Sequence, residues 1–287
     1  MANTISKAFV EQFKSNVVHL AQQRGSRLKD AVRNETVTGE KHNFERIGAM
    51  DSVEKTTRHT DTPVLDVPHS RRVVTLKDWQ WADMIDQEDK IRLLISPQSE
   101  YAKTGAYAMG RRWDKLIIDA ATAAATDGDG SSVALPAGNK VVHASGGMTV
   151  AKILAAREIL LANDVDEEAD PMYMVIGSGE LTDLLNTTEV KSSDYNTVKA
   201  LAKGELSDFC GFRFIRSEQL NVDTSGTNFR KCLAFCQSGI GLAIGADVST
   251  RIDDRADKSY ATQVYMAFSA QATRIEEEKV VEVQATY

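Results

Sequence analysis

Residues 36–84 read TVTGEKHNFERIGAMDSVEKTTRHTDTPVLDVPHSRRVVTLKDWQWADM, and this stretch decides the fold. Between Thr36 and Ser70 only nine of 35 residues are hydrophobic, about 26% against 42% for the whole chain. The same stretch holds Pro63, Pro68 and three of the five histidines, His42, His59 and His69. Its ends have the residue types of strands, and Val73, Thr75, Trp79 and Trp81 share one face of the second. The pattern predicts a long two-stranded excursion. An isolated hairpin is marginal in water, so one this poor in apolar residues must take its order from outside its own domain.

On the amino-terminal side, residues 6–22 (SKAFVEQFKSNVVHLAQ) place Phe9, Phe13, Val17 and Leu20 at helical spacing. On the other side comes the longest helical pattern, about 99–126, with Ala106, Met109, Trp113, Leu116, Ile117, Ala120 and Ala124 in one stripe and Asp127-Gly128 as its stop. A second helix starts at a Thr149 N-cap and runs to about Asn163. Met172–Ile176 reads as a strand, Ser178 as the cap of a brief helix, and Asn196–Lys203 as a helix ending at Gly204. Lys231–Gln237 and Gly239–Gly245 read as a strand pair with a Ser-Gly turn. From Tyr260 to Ala272 apolar and polar residues alternate strictly, which predicts an unusually long half-buried strand, followed by a last strand over Lys279–Val283. Helices and strands mix without βαβ regularity, so the class is α+β.

The bulk composition is that of a packed globular chain, with 26% charged and 7% aromatic residues. It excludes intrinsic disorder. No apolar run approaches a membrane span, the start lacks a secretory signal pattern, and three cysteines make no disulfide framework, so a reducing cytosol is expected. Net charge is 34 − 41 = −7. Residues 1–72 carry 12 basic and 9 acidic side chains, leaving 22 and 32 for the remainder. The basic excess sits at Arg24, Arg27, Lys29 and Arg33. Without the interleaved aromatics of a single-strand binder, that run reads first as a docking element for the acidic body of another copy, and second as a nucleic-acid contact.

Chemistry is sparse. VIGSGELT (175–182) puts Gly177 and Gly179 between a strand and a helix start, the context of a dinucleotide fingerprint, but Thr182 stands at the third glycine position and no acidic residue ends a second strand. A tight turn into a Ser-capped helix explains it better. Asp127-Gly-Asp129-Gly opens like a calcium loop but has Gly138 at the twelfth position. Cys232 and Cys236 share a strand face without histidines nearby, which reads as buried cysteine rather than zinc. The histidines read as solvated surface residues, and Glu276-Glu277-Glu278 as a solvated turn. No catalytic, cofactor-binding or metal-ligating set is predicted, and the chain is not expected to be an enzyme.

The order of these elements resembles the major capsid protein of tailed bacteriophages, the Hong Kong 97-type fold. MYMVIGSGELTDLLN (172–186) looks like the family's strand and following helix in the axial domain. VKALAKGELSDFCGFRFIRSEQL (198–220) matches at Gly204, Leu206, Gly211, Phe212, Phe214 and Ser217. CLAFCQSGIGLAIG (232–245) and YATQVYMAFSAQATRIEEEKVVEV (260–283) look like its closing strands. The resemblance implies an N-terminal arm at 1–35, an E-loop hairpin at 36–84, a peripheral domain with the spine helix at 85–148 and 249–287, and an axial domain at 149–248. It implies a non-enzymatic shell subunit that self-assembles into hexamers and pentamers of an icosahedral head around double-stranded DNA, held as non-specific content. It further implies a portal protein, a decoration protein, synthesis and assembly in the host cytoplasm, and no membrane partner. Since about 35 residues precede the hairpin, a separate scaffolding protein is expected. Lys55 lies near the loop tip, but no partner asparagine is identified and no cross-link is predicted. Two alternatives stay open: an encapsulin-like nanocompartment shell, and a nucleotide-binding enzyme using Gly177 and Gly179.

Overall fold

The computed structural model describes residues 22–286 except 60, 63, 87–96, 144–145, 187–207 and 227. The helices expected over 6–22 and 196–203 fall outside the described residues, apart from Gln22. In chain order the first elements are β1 (Arg33–Thr36), β2 (Lys41–Ile47), β3 (His69–Thr75), β4 (Asp78–Ile85), α1 (Pro97–Thr122), β5 (Ala125–Asp127), β6 (Ser132–Val133) and β7 (Lys140–Val141). There follow α2 (Val150–Ala162), β8 (Met172–Ile176), α3 (Ser178–Asn186), β9 (Asp208–Phe209), β10 (Phe212–Arg216), β11 (Val222–Asp223), β12 (Phe229–Cys236), β13 (Ile240–Arg255), β14 (Ala261–Arg274) and β15 (Val280–Thr286).

The strands form three sheets. One runs β1-β13-β14-β4, a second β7-β15-β12-β8-β10-β9 with β11 on β12, and a third, small one β2-β3-β5-β6. The strict alternation over 260–272 is realised in β14, which buries Val264, Met266, Phe268, Ala270 and Ala272 on one face. That face meets α1, where the Trp113 and Phe268 rings stack 4.6 Å apart. Met109, Trp113, Leu116 and Ile117 are all buried, each stabilising the fold by on the order of 2 kcal/mol. Gly105 permits the close approach, since a Cβ there would lie 2.6 Å from the Trp81 ring. Thr149 caps α2 as expected, accepting from the Lys152 amide.

Three expectations are corrected. First, α1 ends at Thr122, and residues 125–127 turn into β5 on β3. The stop is a buried arginine: Arg274 donates to the carbonyls of Ala121, Ala123 and Val133 at 2.8–3.1 Å, meeting the last carbonyls of the helix. Ala106 and Ala124 are exposed, so the apolar stripe begins at Met109. Second, β12 and β13 do not pair. β12 lies between β8 and β15, β13 between β1 and β14, and the 3₁₀ turn Gln237–Gly239 carries the chain from one sheet to the other. Third, Val73 and Thr75 do not share a face with Trp79 and Trp81, because the chain leaves the hairpin sheet after Thr75 and enters the β14 sheet at Asp78. The last strand, β15, hydrogen-bonds to β12 in the seven-stranded sheet.

Candidate assembly surface

The hairpin is built from its root outward. Gly39 turns the chain at φ 111° from β1 into β2. β2 and β3 then pair in register from Lys41↔Thr75 to Ile47↔His69, and the last rung is the Gly48 amide on the Pro68 carbonyl at 2.9 Å. Phe44 and Val74 point into a small separate core with Val37, Ala243 and Ile275. Phe44 fits because its partner on β13 is Gly241, where a Cβ would lie 2.6 Å from the ring. The root is therefore held by its own body.

A buried ion cluster fixes it further. Glu277 is 5% exposed and accepts from Arg72 Nη2 at 2.9 and 3.0 Å and from Arg46 Nη1 at 3.2 Å. Arg72 also donates to Asp127 at 2.8 Å, and Arg274 Nε lies 3.7 Å from the Glu277 carboxylate. Arg46 and Arg72 belong to the two hairpin strands, so one carboxylate grips both. The expected solvated turn at 276–278 is corrected here: its middle residue is buried and paired, because three guanidinium groups surround it. His42 is likewise half-buried, edge-on to Phe44 and 2.8 Å from the Glu35 carboxylate. His59 and His69 are exposed.

Beyond the root the picture reverses. Described residues from Ile47 to Arg71 are all exposed, and none of the described residues of 49–67 lies in a strand. Ile47, Met50, Val53, Val64, Leu65 and Val67 are six of the fifteen exposed large hydrophobic residues among the described ones, with Val64 at 89%. Such concentration marks a contact surface.

The second feature is an amino-terminal strap. Residues 22–32 cross α1 at Gly110, where a Cβ would lie 2.5 Å from the Gly25 carbonyl carbon. The buried Asp114 carboxylate accepts from Gln23, from Ser26 Oγ at 2.6 Å and from the Arg27 and Leu28 amides at 3.0–3.1 Å. Leu28, Ala31 and Val32 are buried. A carboxylate inside the apolar stripe of α1 was the sequence signal for this anchor.

The remaining sequence candidates show no ligand chemistry. A Cβ at Gly177 would lie 1.8 Å from Arg230 Nη1, and the Ser178 amide at the start of α3 donates to Glu218 at 2.6 Å. Burial works against ionisation of Glu218, but Ser178 and Arg230 outweigh it and hold its carboxyl below the usual range. A carboxylate therefore stands where a pyrophosphate would sit, and Gly179 adjoins open space. Asp127 is taken by Arg72. Burial pushes the Cys232 thiol far up and Cys236 up to about 12. No group of three or more metal-ligating side chains occurs among the described residues.

A subunit with a firmly rooted loop, an exposed apolar tip and an arm strapped over its long helix is a shell-building subunit. The chain belongs to the phage capsid protein family, whose model matches residues 5–286. It is a major capsid protein, a component of the virion that assembles with itself into a shell. The Hong Kong 97-type fold is shown by solved structures. The capsid of the cyanophage P-SCSP1u superposes with a TM-score of 0.74 at 17% identity, covering 100% of this chain and 97% of that one. A chain of Mycobacterium phage Che8 gives 0.70 at 15%, covering 95% and 96%. The capsid of Ralstonia phage GP4 gives 0.71 at 10%, covering 96% and 94%. No curated protein matches the chain.

Proposed function

We propose that the hairpin tip, residues 47–71, lies across a neighbouring copy within hexamers and pentamers of an icosahedral tailed-phage head that encloses double-stranded DNA. The observation that carries this is the cluster of six exposed apolar side chains at the end of the hairpin, where the described residues of 49–67 lie in no strand, beyond a root fixed by Glu277. A neighbour supplies what the tip lacks: apolar pockets and backbone partners. Contacts of this kind between unlike surfaces of identical copies close into rings.

The division into an arm at 1–35, a hairpin at 36–84, a peripheral part at 85–148 with 249–287 and an axial part at 149–248 belongs to this proposal, with one change. Residues 280–286 go with the axial sheet that they pair into. The role is mechanical, without enzymatic activity. A portal protein, a separate scaffolding protein and a decoration protein are proposed partners, and assembly takes place in the host cytoplasm.

The test is the triple variant Val53→Ser, Val64→Ser, Leu65→Ser. All three side chains are exposed, so the subunit's unfolding free energy should stay within about 0.5 kcal/mol of the parent. Electron microscopy should show closed shells from the parent and unassembled subunits from the variant. Normal shells from the variant would refute the role of the tip.

A further inference from the structure

We propose that Arg24, Arg27 and Arg216, on the face where the strap crosses α1, form a contact for the phosphate backbone of duplex DNA. The strap draws together cations from three separate parts of the chain. Arg27 Nη1 donates to the Arg216 carbonyl at 2.7 Å, which sets its guanidinium over the end of β10. Arg111 donates to Gln22 at 2.8 Å, and Lys115, beside Asp114, reaches the Gln219 carbonyl at 3.4 Å. Arg24, Arg27 and Arg216 are exposed, and none makes an ion pair among the described residues.

Of the acidic side chains nearby, only the strap's own exposed Asp30 stands against the three arginines; the others are committed elsewhere. Asp114 is buried beneath the strap, where it holds the Ser26 hydroxyl and the Arg27 and Leu28 amides. Asp119 pairs with Lys115 at 3.1 Å, Glu218 with Arg230 at 3.0 Å and Asp247 with Lys29 at 3.6 Å. Lys29 and Arg33 of the basic run are thus used within the chain, Arg33 on Glu35 at 2.6 Å. What remains outward is a positive patch on a molecule of net charge −7.

Two features favour a phosphate backbone over an acidic protein surface. None of the exposed large hydrophobic residues belongs to 22–35, 105–120 or 208–220, Val222 being the nearest in sequence, whereas protein interfaces have an apolar centre. The outward cations are also all arginines, whose planar fork matches phosphate oxygens in pairs. The inference rests on the shell reading only for identifying the duplex with the packaged genome.

The experiment uses the full chain, unassembled, with a fluorescent mixed-sequence duplex followed by anisotropy. Three phosphate contacts predict that affinity falls roughly 40-fold between about 50 and 200 mM salt, a log–log slope of about −2.7. The variant Arg24→Gln, Arg27→Gln, Arg216→Gln should bind more weakly at low salt and lose most of that slope. Lys41→Gln, Lys140→Gln, Lys258→Gln removes the same charge from exposed positions elsewhere and should keep the slope. Equal losses in both variants, or no binding by the parent at about 50 mM salt, would overturn the proposal. So would an arginine variant that binds DNA like the parent but no longer assembles, because the patch would then be a protein interface. Shells of normal shape in the same preparations keep the shell reading intact whichever way DNA binding falls.

Discussion

Replacing Glu277 by Gln keeps the side chain's size and removes the one charge that holds both hairpin strands to the body. Removing one partner of a buried ion pair costs about 3–5 kcal/mol, because the other charge is left uncompensated in a poorly polarisable interior. Here Arg72 would keep Asp127 at 2.8 Å, and Arg274 would keep the carbonyls of Ala121, Ala123 and Val133. Those residual partners place the loss at the lower end, about 3 kcal/mol. For a chain somewhat larger than 150–250 residues, each kcal/mol lowers Tm by about 2–4 °C, so a fall of about 6–12 °C is expected. The assay is thermal unfolding of the unassembled subunit by near- and far-ultraviolet circular dichroism, with Glu278→Gln beside it. Glu278 is exposed, and its replacement should stay within about 0.5 kcal/mol of the parent. If the two variants melt within about 2 °C of each other, Glu277 does not anchor the root as described.

Gly110→Ala should lift the strap, since its Cβ would meet Gly25 backbone that has no side chain to rotate away. A loss of about 1–3 kcal/mol is expected, read as new protease cleavage between 22 and 33; equal resistance in parent and variant would contradict it. The buried thiols give a pH dependence. Burial raises Cys236 from 9.0 to about 12, and Cys232 is raised as well. A raised folded-state pKa contributes stability that is full below the unfolded value and is lost as pH climbs from about 9 towards about 12. The Cys232→Ala, Cys236→Ala variant should therefore lose less stability than the parent between pH 9 and 11, by urea titration at each pH; parallel losses would contradict the burial argument.

Periodicity carried much of the fold. Thr149, Met172–Ile176 and the alternation through β14 stand where the pattern put them, because each packs into a single large core, whereas Ser178, read as a cap, is the first residue of α3 and the cap position falls on Gly177. What periodicity does not encode is which strand pairs with which. The runs on either side of Ser238 are both apolar and adjacent in sequence, yet β12 is filled on both edges by β8 and β15, and β13 by β1 and β14. The end of α1 was misread for a related reason, since its stop is a guanidinium arriving from Arg274 and not a local turn. At the assembly surface, the tip was legible from its shortage of apolar residues. The clamp was not, because Arg46, Arg72, Arg274 and Glu277 are separated by up to 231 residues and look solvated one at a time. Asp114 left a signal, a carboxylate interrupting an otherwise apolar stripe, but nothing in the stripe named the strap that it holds.

Amide hydrogen exchange across 49–67, compared between unassembled subunit and purified shell, tests the account's main claim most directly. The described residues of 49–67 lie in no strand of the single chain, so their amides should exchange at nearly unprotected rates there. In the shell they should become strongly protected while β2 and β3 change little. Strong protection of the tip already present in a solitary subunit, or none gained in the shell, would contradict it.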